Sequence, residues 1–140
     1  MIYLDANVYI NAAINPNKLG RVCRLILDAV QNRVLTNVYS SPLTLDEVLW
    51  KLRLKMDYKT AINSVRAMMN IPVKMVEINL NIFHDALDIA SHYNMKPRDA
   101  IHAACMKRHG ILEICSTDTD FDVIKGIKRT SPEKLKIPSH

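Results

Sequence analysis

Glycine is scarce in this 140-residue chain, which carries only Gly20, Gly110 and Gly126. Glycines so far apart leave no G-x-G-x-x-G fingerprint, no P-loop and no G-x-S-x-G elbow. Dinucleotide-binding enzymes, P-loop NTPases and α/β-type serine hydrolases are therefore excluded. Cysteine is sparse too: Cys23, Cys105 and Cys115 are odd in number, scattered, and never form a C-x-x-C pair. A disulfide framework is not expected, and each thiol reads as a small core hydrophobe. His102-x-x-Cys105-x-x-x-His109 would line one side of a helix, but zinc takes three or four protein ligands and no fourth stands nearby. Long apolar runs are also missing. Charge interrupts them, as at Arg24 and Asp28, and the chain passes from Met1 directly into strand-like Ile2-Tyr3-Leu4. Neither a membrane span nor a leader peptide is expected, and the reading is a soluble, cytoplasmic protein.

What is present is enough apolar material for a core, 49% of residues, in a length that suits one domain over residues 1–140. The net charge is +5, with cations at Lys51, Arg53, Lys55, Lys107, Arg108, Lys125, Lys128 and Arg129. A basic balance biases a protein toward phosphate-rich partners through counterion release, but it equally suits a solvated surface.

Short β-branched runs alternate with longer helical patterns. Strands are expected at Ile2–Leu4, Val38–Ser40, Met75–Ile78, Leu112–Cys115 and Lys128–Thr130. Helices are expected over Ala6–Ile14, Leu19–Val34, Leu43–Met56, Lys59–Met69, Ile82–Tyr93 and Asp99–Arg108, with a short one over Asp120–Lys125. Phe83, Ala86, Leu87 and Ala90 have the 3-4 spacing of a helix with one buried face. Breaks fall at Asn15-Pro16-Asn17, Ser41-Pro42, Pro72, Lys96-Pro97 and Gly110. Such alternation predicts an α/β fold with a mainly parallel sheet covered on both faces. Ligands of such sheets bind beyond the carboxyl ends of the strands, where strand order reverses.

Acidic residues fall at those ends. Asp5 follows the first strand, Glu47 lies one turn into the helix after the second, Asp99 opens a later helix, and Asp118 and Asp120 follow Leu112–Cys115. Each has an ordinary role open to it: Asp99 and Asp118 as helix caps, Glu47 as a solvated helix residue, Asp5 as a turn residue. Brought together they would repel one another, at a cost that a bound divalent cation removes. Carboxylate oxygens suit Mg²⁺ or Mn²⁺, which can activate a water and stabilise charge in phosphodiester chemistry. Setting these five acids aside leaves nine against nineteen cations, a surface of +10 that suits RNA.

Four segments carry a resemblance: Tyr3-Leu4-Asp5-Ala6-Asn7-Val8, Leu43-Thr44-Leu45-Asp46-Glu47-Val48, Arg98-Asp99-Ala100-Ile101-His102-Ala103-Ala104 and Ser116-Thr117-Asp118-Thr119-Asp120-Phe121. In order and spacing the chain resembles the PIN-domain family, especially its VapC-like toxin branch. The resemblance implies a three-layer α/β/α sandwich and Mg²⁺- or Mn²⁺-dependent cleavage of RNA leaving a 5′-phosphate and a 3′-hydroxyl. It assigns Asp5, Glu47, Asp99 and Asp118 as the acidic quartet and Asp120 as an additional metal-binding acid. Asn7 matches a polar position that orients Asp5. Asp46 competes with Glu47, and the Leu-Thr-Leu-x-Glu register favours Glu47. His102, among the alanines of its helix, reads as structural.

The resemblance also implies a protein antitoxin as partner, and a homodimer is compatible with it. The alternatives are an RNA-processing nuclease outside a toxin system and an inactive module that binds RNA or protein. Among phosphoryl-handling α/β proteins, the haloacid-dehalogenase pattern fails because Asp5-Ala6-Asn7 lacks its second aspartate. A receiver domain fails because Ile78-Asn79-Leu80 offers no phosphoacceptor.

Overall fold

The computed structural model describes residues 1–139. Five strands, β1 (Ile2–Leu4), β2 (Val38–Ser40), β3 (Lys74–Met75), β4 (Glu113–Cys115) and β5 (Lys128–Thr130), form one sheet in the order β3-β2-β1-β4-β5. Every pairing is parallel. The chain winds outward from β1 to β3 and then returns to lay β4 on the other side of β1. Strand order thus reverses between β1 and β4, where an open parallel sheet leaves a crevice.

Six helices cover the sheet: α1 (Ala6–Ile14), α2 (Lys18–Gln31), α3 (Pro42–Leu52), α4 (Tyr58–Met68), α5 (Leu80–Tyr93) and α6 (Pro97–Arg108). Side chains alternate across a strand, so neighbours on β1 feed opposite cores. Ile2 and Leu4 pack with Val8, Ile26, Val30, Val48 and Leu52 of α1–α3, while Tyr3 packs with Ile82, Ala103 and Met106 of α5 and α6. Ile26, Leu52, Ile82 and Met106 are fully buried, each stabilising the fold by about 1.5–3 kcal/mol relative to exposure. The expected layered α/β architecture is the one observed.

Element boundaries differ where proline was read as punctuation. Pro42 and Pro97 stand inside α3 and α6, in the first turn, where the missing N–H costs nothing and the fixed φ is already helical. Both helices therefore begin earlier than their apolar periodicity. α3 ends at Leu52 rather than Met56, and Asp57 restarts the chain by accepting from the Thr60 N–H at 3.1 Å. α2 stops at Gln31, and the chain turns at Arg33 with φ 58°. β3 is Lys74–Met75 and shares only Met75 with the expected Met75–Ile78, although the Val76 N–H still reaches the Ser40 carbonyl at 2.8 Å. The expected short helix is a 3-10 turn, Thr119–Val123.

One glycine is dictated by close approach. A Cβ on Gly20 would stand 1.7 Å from the Asn15 carbonyl oxygen, so only glycine lets α2 pass the end of α1 so closely. Arg24 secures the same junction by donating to the Ala12 and Asn15 carbonyls at 3.0 and 2.9 Å.

Candidate active site

The strand-order reversal and the acids coincide. Asp5 leaves the end of β1, and its backbone N–H bonds the Cys115 carbonyl at the end of β4, closing the crevice floor at 3.1 Å. The residue is 6% exposed. Oδ1 accepts from the Ala6 N–H at 2.8 Å, which also caps α1, and Oδ2 accepts from Ser116 Oγ at 2.6 Å and Asn7 Nδ2 at 3.1 Å. Asn7 spends its second amide proton on Ser116 Oγ at 3.1 Å, and its Oδ1 accepts from the Thr117 N–H at 3.2 Å. Ser116 Oγ in turn accepts from the Asp118 N–H at 2.9 Å. Asn7 and Ser116 thus clamp Asp5 to the loop that carries Asp118.

α3 and α6 supply the other walls. Glu47 faces inward from α3 and bonds His102, whereas Asp46 is exposed on the cleft rim. Asp99 lies in the first turn of α6, favoured there by the helix dipole. Asp118 caps the 3-10 turn by accepting from the Asp120 N–H at 2.9 Å. The capping role open to Asp118 is therefore real, and it coexists with a place in the cleft. One pocket is lined by Asp5, Asn7, Glu47, Asp99 and Asp118, together with Trp50, Lys51 and Arg98.

The acids form two groups rather than one. Asp5, Glu47 and His102 each place a ligand atom within 4.8 Å of the others, and so do Asp99, Asp118 and Asp120. Asp120 stands at the margin: its side chain is 46% exposed, pairs with Lys96 at 3.4 Å, and borders a neighbouring hollow with Tyr93 and Met95. Burial raises the Asp5 pKa, opposed by His102 and by the Ser116 and Ala6 hydrogen bonds. Asp99 is pushed up to about 6, first by burial, then by the charges of Asp118 and Asp5.

The cations sort themselves. Lys51 and Arg98 line the cleft, whereas Arg108, Arg129 and Lys128 are occupied by Asp85, Asp122 and Glu113. The His102/Cys105/His109 series holds no metal group among the described residues. Both His102 nitrogens are occupied, and His109 Nδ1 lies 3.0 Å from the Cys105 carbonyl.

A PIN-domain family model matches residues 2–127. The chain belongs to the PIN-domain family. No curated protein sequence matches it. Solved structures do, and their likeness shows the PIN fold. Mycobacterium tuberculosis VapC20, described as a sarcin–ricin-loop-cleaving toxin, aligns at TM-score 0.73 and 14% identity, covering 87% of this chain and 93% of its own. VapBC-1 from nontypeable Haemophilus influenzae aligns at 0.70 and 17%, covering 96% and 100%. VapBC2 from Rickettsia felis, bound to a fragment of its promoter DNA, aligns at 0.69 and 11%, covering 94% and 98%. Within this PIN domain, the side chains that hold the cleft acids, Ser116 and His102, have no role in the sequence reading of the site, nor do the cleft-lining Trp50 and Arg98. From sequence, Ser116 merely opens the Asp118 motif, and His102 reads as structural among the alanines of its helix. The signal for His102 was its spacing, three residues after Asp99 and hence on the same face of α6.

Proposed function

We propose that this PIN domain is a metal-dependent ribonuclease that hydrolyses RNA phosphodiester bonds in the Asp5–Glu47–Asp99–Asp118 cleft, and that it acts as the toxin of a toxin–antitoxin pair. One observation carries the reading: four carboxylates from four separate segments line one pocket at the reversal of strand order. The chemistry of the donors fits a hard divalent cation, because the groups facing the cleft are carboxylate oxygens under mutual repulsion and Asp99 is held near pKa 6. Asp5, Glu47, Asp99 and Asp118 would hold Mg²⁺ or Mn²⁺, with Asp120 assisting from the margin. Such an ion supplies an activated water and charge stabilisation for in-line displacement at phosphorus.

The chain's own residues set the geometry. Asn7 and Ser116 hold Asp5 in one orientation, and Lys51 and Arg98 offer cations to the phosphates flanking the scissile bond. Two of the three neighbours described above were solved as VapBC complexes, which supports a protein antitoxin as the partner here. A short adjacent reading frame encoding a DNA-binding antitoxin is the genomic expectation. The test is cleavage of labelled single-stranded RNA with Mg²⁺, Mn²⁺ or EDTA, comparing wild type with Asp5→Asn. Metal-dependent cutting lost in the variant is expected. Equal cutting by a folded Asp5→Asn protein would overturn the assignment.

A further inference from the structure

Glu47 differs from Asp5 in what holds it. Three donors fix Asp5, whereas among the described residues the one hydrogen-bond partner of the Glu47 carboxylate is His102 Nε2. A glutamate side chain loses rotamer entropy when ordered, so its orientation in an open cleft must be enforced by something rigid. His102 is rigid: it is fully buried in α6, and its Nδ1 lies 2.7 Å from the Tyr3 hydroxyl. Tyr3 is itself fully buried on β1, with its ring edge-on to the imidazole. The Tyr3 hydroxyl reaches Ser41 Oγ at 2.8 Å and Thr44 Oγ1 at 3.3 Å, and Thr44 Oγ1 accepts from the Ser41 N–H at 3.2 Å.

The hydrogen bonds close a circuit. They leave the N-cap and first turn of α3 at Ser41 and Thr44, pass through Tyr3 of β1 and His102 of α6, and re-enter α3 at Glu47, one turn beyond Thr44. A leucine or methionine would fill the same space without the cost of burying an imidazole. The imidazole instead joins the core to a cleft carboxylate. With both ring nitrogens occupied, it acts through Glu47 rather than as a ligand.

We infer that His102, braced by Tyr3, is a positioning residue that fixes the Glu47 carboxylate for the metal-dependent cut. The inference rests on the ribonuclease reading given above. It is tested in the antitoxin-free protein with His102→Leu, His102→Gln and Tyr3→Phe, measuring thermal unfolding, Mn²⁺ affinity by calorimetry, and kcat and KM for RNA cleavage. His102→Leu is expected to weaken Mn²⁺ binding and lower kcat by about 10–100-fold, the range for groups that orient metal ligands, with KM little changed. His102→Gln restores an N–H toward Glu47 and should recover most of that loss. Tyr3→Phe keeps the ring and should cost several-fold. A folded His102→Leu protein that binds Mn²⁺ and cuts like wild type overturns the inference, as does equal impairment of the Leu and Gln variants. If His102→Leu does not fold, wild-type Mn²⁺ affinity and kcat in Tyr3→Phe overturn it instead. A wild-type protein that neither binds Mn²⁺ nor cuts removes the ribonuclease reading and this inference together. Active wild type with indifferent variants removes only the inference.

Discussion

The two halves of the cleft are built on opposite terms. The Asp5–Glu47 half is tied down, with Asp5 buried and both its oxygens bonded and the half-buried Glu47 braced by a core histidine. The Asp99–Asp118–Asp120 half is more open and is held together against its own charge, with Lys96 on Asp120 as a nearby cation. The first half spends hydrogen bonds to fix geometry. The second stores repulsion that an arriving cation relieves. On the proposed reading, a metal site assembled this way would have one rigid wall and one wall whose repulsion the cation relieves.

The largest effect should come from the rigid wall. Asp5→Asn is expected to lower RNA cleavage by about 100-fold or more, the scale of losing a principal electrostatic group. It should bring no gain in stability, because one of three donors would then face an amide nitrogen. Single-turnover cleavage and thermal unfolding of the same preparation check both parts.

Asp99→Asn should separate the two walls. Its folded pKa of about 6 lies above the ordinary aspartate value, so its favourable contribution is complete below about pH 4 and is lost as pH rises through 6. Metal-free wild type should therefore lose stability between pH 4 and 7. Asp99→Asn should flatten that dependence and, at pH 7, be more stable by about 1 kcal/mol after allowance for solvent screening at a half-open site. Cleavage should nevertheless be lost. Denaturant titrations at several pH values decide it, and an Asp99→Asn protein with the wild-type pH dependence would erase the contrast between the walls.

Smaller effects should follow. Asn7→Ala releases one side of Asp5 and should cost about 10-fold in cleavage, read as a loss in metal affinity. Asp120→Asn, at the exposed margin and already paired with Lys96, should cost only a few-fold. If Asp120→Asn were as damaging as Asp5→Asn, the margin would belong to the centre.

Local chemistry made much of this legible from sequence. Leu4-Asp5 joins a short apolar run to a cap, and the structure places β1 and α1 on the expected residues, Ile2–Leu4 and Ala6–Ile14. The parallel sheet followed from alternation, and the convergence of acids from their positions after strands. Proline misled at Pro42 and Pro97, because a helix-starting proline and a helix-ending one look alike until the N-cap conformation is known. His102 was opaque for another reason. Its partners Glu47 and Tyr3 lie 55 and 99 residues away, so its spacing from Asp99 puts it on the site face of α6 but cannot report those contacts. The cations were equally silent: Arg129 is tied to Asp122, while Arg98, whose place beside Asp99 gives no sign of it, lines the cleft.

The central claim is that both walls serve one cation site, and the most direct measurement is a calorimetric Mn²⁺ titration of the metal-free, antitoxin-free protein against Glu47→Gln and Asp99→Asn. One variant comes from each wall. Wild type should bind Mn²⁺, and each variant should weaken binding at least 10-fold while remaining folded. Undiminished binding in either variant would contradict the account, showing that the acids of the two walls do not share an ion.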